Sequence, residues 1–202
     1  MSLSKINNTL LALILLLNFY VIAAPFFPAI IFSWESRGNK EHQLSQLLKS
    51  SAQSSPSNHS STDYSAANLT GDRVIIPSMI LNQSILEGPI YKQFQILDRG
   101  IWRWPNSSTP DKGGNTVLVG HRFTYTIPKG VFYYLNKLKI GDQIGIFWNN
   151  HEYLYKVSTI NVVPPTDTSI EQNSIKPEVT LFTCTPLWLP KNRLVVVASL
   201  DG

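Results

Sequence analysis

From Leu10 to Phe32 the chain reads LLALILLLNFYVIAAPFFPAIIF, with no charged residue. About 20 apolar helical residues suffice to cross the hydrocarbon core of a bilayer, so this run predicts a membrane span. Ala23 and Ala24 offer the small residues of a cleavable signal peptide. The apolar stretch nevertheless continues past them to Phe32, longer than the usual core of such a signal, and an uncleaved anchor is the reading adopted. Lys5 and the α-amino group precede the run and Arg37 and Lys40 follow it, so charge asymmetry does not choose an orientation.

The 202 residues, 43% hydrophobic and 11% aromatic, can bury a core in one domain. A formal charge of +4, with Lys and Arg scattered singly, offers no basic run that would track a phosphate backbone, and nucleic acid is excluded as a partner. Residues 33–70 read as a flexible stalk: a short helix is conceivable over Glu41–Lys49, but SSAQSSPSNHSS at 50–61 is too polar to bury anything. His59, inside that stretch and without a partner at ligand spacing, is read as a solvated linker residue.

From Gly71 to Gly202 the pattern changes to short β-branched and aromatic runs separated by turn residues, the signature of an all-β barrel or sandwich. Strands are predicted at Arg73–Ile76, Ser84–Leu86, Thr116–Gly120, Gln143–Trp148, His151–Val163, Glu178–Thr183 and Arg193–Leu200, with Asn149 and Asn150 as a hairpin turn. Val131, Tyr134, Leu135 and Leu138 have helical spacing, and Gly141 follows as a stop, so a short helix is predicted over Val131–Leu138.

Three pieces could carry chemistry: His121 ending TVLVGHR, Cys184 ending TLFTC, and Arg193 opening the last strand. Taken singly, each has an ordinary structural reading: a hydrogen-bonded ring, a small buried apolar residue and a solvated strand-end charge. Together they supply what acyl transfer needs. A thiolate is the nucleophile, an imidazole moves the proton to a leaving amine, and a guanidinium fork stabilises charge on the carbonyl oxygen. Cys184 is the only cysteine, so no intrachain disulfide competes for it.

These residues resemble the sortase family. TLFTC is followed nine positions later by Arg193, and GGNTVLVGHR places His121 63 positions before the cysteine. RVIIPSMILNQSILEG at 73–88, LNKLKIGD at 135–142 and the terminal RLVVVASL extend the likeness over the whole folded region, and GHRFTY and TCTP look most like class E, with class D second. The resemblance implies an eight-stranded sortase-type β-barrel with one or two short helices after the N-terminal transmembrane helix. In chain order that gives a cytoplasmic N-terminus (1–9), a transmembrane anchor (10–32), the stalk (33–70) and an extracytoplasmic catalytic domain (71–202) on a bacterial cell membrane. It implies a cysteine transpeptidase that cuts an LPxTG- or LAxTG-like C-terminal sorting signal after Thr through a thioacyl intermediate. The signal is then joined to a cell-wall or pilin amine. Cys184 matches the nucleophile, His121 the general acid and base, Arg193 the residue holding the carbonyl and oxyanion, and Thr183 a substrate-contacting position.

No cofactor and no required metal are expected: Asp167, Glu171 and Glu178 are the only carboxylates in the loop before the cysteine strand, against the six to eight oxygens that calcium takes, roughly. Trp188 and Leu189 either line a substrate groove or pack the barrel rim. The competing reading is a catalytically inactive, membrane-tethered peptide-binding module on the same barrel. A papain-like hydrolase is excluded by chain order, since His121 precedes Cys184.

Overall fold

A computed structural model describes residues 3–24, 26–35, 40–53, 71–187 and 189–201. Its centre is a closed barrel of eight strands: β1 (Arg73–Ile76), β2 (Leu81–Leu86), β3 (Ile101–Arg103), β4 (Asn115–Val119), β5 (Gln143–Trp148), β6 (His151–Val163), β7 (Glu178–Thr185) and β8 (Asn192–Leu200). Around the barrel the order is β1-β2-β3-β4-β7-β8-β6-β5. Closure leaves no unpaired strand edge. The predicted all-β class holds, and β1, β5 and β6 have the predicted bounds.

Alternation along the strands sorts side chains into two layers. Val179, Leu181, Leu194, Val196 and Leu118 point into the barrel and join Val74, Ile76, Ile144 and Ile146 in the main core. The intervening Val117, Val119, Phe182 and Val195 form an apolar patch on the outer face of β4, β7 and β8, covered by Ile96 and Trp102 and flanked by Trp104, Val163 and Ile170. Burying one Val or Leu in either layer stabilises the fold by about 1.5–3 kcal/mol.

The turn between β5 and β6 follows its residue chemistry. Asn149 (φ 50°) and Asn150 (φ 64°) both sit in the left-handed region that a two-residue hairpin needs and that Asn tolerates. Asp72 accepts a hydrogen bond from the Asn149 N–H at 2.9 Å, fixing the turn to the strand beside it.

Three expectations change. The apolar run is not one helix over 10–32: α1 (Leu3–Ala23) and α2 (Phe27–Glu35) flank Pro25, which lies outside the described residues. Ser4–Ala23 is long and apolar enough to cross a bilayer, and its side chains are exposed on all sides, as lipid contact requires. Within 33–70, α3 (Lys40–Gln53) is helical and docked: Leu44 and Leu48 are buried against Ile75 of β1. Residues 54–70, with His59, lie outside the described residues.

The segment 131–138 is not an α-helix. Its hydrogen bonds run three residues back, as from Tyr133 to Gly130 and from Lys137 to Tyr134, and a 3-10 turn covers Leu135–Lys137. Phe132, Tyr133, Tyr134 and Leu135 are all buried in succession, which an α-helix with one apolar face does not provide. The α-helix within the barrel domain is instead α4 (Gln93–Leu97), whose five residues are too few to show periodicity in the sequence.

Candidate functional site

β4 pairs with β7 in parallel, and β7 pairs with β8 antiparallel. This topology gathers residues far apart in the chain. Parallel strands end on the same side of the sheet, so the residues following β4 meet the C-terminal end of β7, where β8 begins.

The register is explicit. Val119 lies opposite Phe182, the Gly120 N–H reaches the Phe182 carbonyl at 3.4 Å, and His121 therefore stands at the level of Cys184. Cys184 is in turn the direct partner of Arg193. Directly opposed residues of an antiparallel pair present their side chains on one face. Alternation places that of Cys184 on the same face as Phe182, and that of Arg193 on the same face as Val195, the outer apolar patch. Cys184, His121 and Arg193 are each half-buried. A half-buried thiol at the edge of an apolar strip is reachable by a peptide and partly shielded from water. Among the described residues, the Arg193 side chain has one hydrogen bond, Nη1 donating to its neighbour Asn192 O at 3.4 Å.

Thr183 departs from expectation. It is 1% exposed and points to the inner face, and its Oγ1 donates to the Gly120 carbonyl at 2.7 Å. Its side chain points away from the outer face, on which Cys184 lies. It ties β7 to the residue before His121, holding the cysteine and histidine strands in register.

Two residues were not legible as site members. Arg122 donates from Nη1 to Thr185 Oγ1 at 2.8 Å, so the residue after the histidine is tied to the residue after the cysteine. Desolvation lowers the Arg122 pKa, and the same cause raises that of Tyr133, which Arg122 partly offsets. Asp98, at the C-terminal end of α4, places Oδ1 3.5 Å from His121 Nε2. Register alone reveals the first of these contacts, and no local sequence signal marks the second.

Gly120 and Gly130 make room for the histidine. A Cβ on Gly120 would fall 2.6 Å from Val131 Cγ2, and one on Gly130 would fall 2.2 Å from the His121 carbonyl oxygen. The loop leaving His121 is thus folded back on the histidine's own backbone, with the Gly130 N–H donating to Arg122 O at 3.1 Å.

Further along the outer face a cavity of about 400 Å³ is lined by Asn115, Asp167, Ile170, Glu178, Thr180 and Val195, among others. Ser169 donates to Asp167 through both Oγ and N–H, which lowers the Asp167 pKa, whereas burial raises that of Glu171. Among the described residues no group of three His, Cys, Asp or Glu side chains is placed to hold a metal ion. Leu189 is exposed, and Trp188 lies outside the described residues.

The sortase-domain family model matches residues 74–201, all of the barrel but its first residue. The chain belongs to the sortase family. It is 34% identical over 136 residues to sortase SrtE1 of Streptomyces coelicolor, a match covering 60% of this chain and 37% of that protein. Sortase A of Bacillus anthracis is 31% identical over 131 residues, covering 64% of this chain and 59% of the relative. The chain therefore spans about two to three fifths of the length of these two relatives. Among solved structures, a Clostridium perfringens sortase D5 transpeptidase superposes with a TM-score of 0.57 at 29% identity, over 65% of this chain and 78% of that one. The eight-stranded barrel is the sortase fold, and α1 supplies the N-terminal apolar helix that accompanies it here.

Proposed function

We propose that this sortase-family protein is a membrane-anchored cysteine transpeptidase, in the manner of class E, acting on C-terminal sorting signals of the LPxTG or LAxTG kind. The observation that carries the reading is the register that sets Cys184 directly across from Arg193 and level with His121 at one end of the sheet. Cys184, His121 and Arg193 are each partly exposed at that end, where an extended peptide can reach them.

In the proposed reaction the Cys184 thiolate attacks the Thr carbonyl of the Thr–Gly bond. The guanidinium of Arg193 stabilises the oxyanion, and His121, as imidazolium, gives its proton to the departing glycine amine. A thioester to Cys184 remains. An incoming amine from a cell-wall precursor or a pilin Lys, deprotonated by His121, then attacks the thioester and releases the thiolate. Thr183 and Arg122 tie the C-terminal end of β7 to the residues following β4. The substrates are surface proteins or pilins on the outer side of a bacterial membrane, with residues 1–9 on the cytoplasmic side. The reaction draws on no cofactor.

The test is intact-mass spectrometry of the full chain in detergent micelles, incubated with LPxTG and LAxTG peptides with and without an amine acceptor. A thioacyl adduct on Cys184 that passes to the amine is expected, and Cys184→Ala should abolish it. Peptide cleavage that survives Cys184→Ala would sink the mechanism. A folded chain that binds peptide and forms no adduct would establish a binding module instead.

A further inference from the structure

The proposed mechanism assigns no role to Asp98, yet its Oδ1 lies 3.5 Å from Nε2 of the His121 ring. We infer that Asp98 is a positioning residue that favours the imidazolium form of His121 and restrains its ring beside Cys184. The inference rests on the transpeptidase reading above and adds to it a carboxylate partner for the proposed acid.

The placement has a structural origin. α4 lies over the outer patch through Ile96, which packs with Trp102 and Val119. The Asp98 N–H closes the helix onto Phe94 O at 3.0 Å, so the carboxylate is carried on a packed element and not on a free loop. That cap uses the main chain alone. Replacing the side chain therefore leaves the helix end intact.

Four charged or ionisable groups lie on the elements next to His121. Asp98 reaches it from α4, and Cys184 stands level with it on β7. Arg193 faces Cys184 from β8, and Arg122 follows in the chain with its guanidinium on Thr185. The two arginines disfavour a charged imidazole. The thiolate and Asp98 favour it, and Asp98 is the only fixed anion of the four. Its carboxylate is 58% exposed, so the effect is that of a solvated ion pair, small and screened by salt.

The sign follows directly. Acylation needs His121 protonated so that the leaving amine can take its proton. Without Asp98 the alkaline limb of the acylation rate moves toward acid.

The experiment compares full-length wild type, Asp98→Asn and Asp98→Glu in micelles, following Cys184 acylation against pH by intact mass. For Asp98→Asn the alkaline limb should move down by roughly 0.2–0.7 unit, with kcat reduced about 1.5- to 5-fold and KM little changed. Asp98→Glu should restore most of both, and 1 M salt should narrow the gap. A merely structural role would lower the rate without moving the limb. If wild type acylates normally and the Asp98→Asn profile superimposes on it, the inference is overturned while the transpeptidase reading stands. If wild type forms no adduct, the failure belongs to that reading.

Discussion

Gly130→Ala tests how tightly the loop after β4 controls His121. A methyl group at Gly130 would lie 2.2 Å from the His121 carbonyl oxygen and 2.5 Å from its carbonyl carbon, where real contacts stay at 3.0 Å or more. The required separation is thus at least 3.0 minus 2.2, or 0.8 Å. Both partners are backbone, so no side chain can rotate away to supply it. The Phe132 N–H also donates to this carbonyl at 3.0 Å, and Phe132 is fully buried, which pins the far side.

A displacement near 1 Å at a reacting group can cost about 100-fold in rate, and overpacking of this kind costs typically 1–3 kcal/mol of stability. The expected outcome is therefore a kcat/KM about 100-fold lower, with a melting temperature reduced by several degrees. Turnover of a sorting-signal peptide should be measured well below the melting temperature, with circular dichroism confirming the fold. A folded Gly130→Ala protein that turns over at the wild-type rate would refute the claim that this loop positions the histidine.

Three other outcomes are expected. Leu48→Ala should loosen α3 from the barrel by about 2–3 kcal/mol, because Leu48 is 1% exposed and fills the space over Gly145, and hydrogen exchange of α3 would show it. Unchanged protection would mean that α3 docks by other contacts. Replacing Asn149 with Val should destabilise the β5–β6 hairpin by about 1–2 kcal/mol in denaturant unfolding, since Val resists positive φ, whereas Asn150→Gly should not destabilise it. Burial raises the Tyr155 pKa, with Tyr153 adding to the effect. The unfolded chain then releases this proton first, so stability holds below about pH 10 and declines as pH rises past it. Tyr155→Phe should flatten that alkaline decline, and a decline equally steep in the variant would contradict the assignment.

The chemistry of the site was unusually legible: one cysteine, one histidine ending an apolar strand and one arginine opening the last strand are residue-level facts. So were the long strands, because β5 and β6 are runs of β-branched and aromatic residues six and thirteen long and their turn carries two asparagines. Short elements were not. β3 has three residues and α4 five, below the length at which a period can be read, and both are defined by what they pack against. The segment 131–138 misled because its apolar spacing fits a helix, while burial of four successive residues selects a tighter turn.

By itself the sequence determined composition-level matters: which residues can do acyl transfer, which run can lie in lipid, and which stretches favour extended backbone. These follow from side-chain chemistry and local periodicity, which need no partner strand. Only tertiary structure decided that β4 and β7 run parallel and adjacent with β8 beside them, so that residues 121, 184 and 193 share one end of the barrel. It alone turned Thr183 inward and brought Asp98 to the histidine. Strand pairing across more than sixty residues is set by the closing of the whole barrel around one core, and no local pattern encodes it.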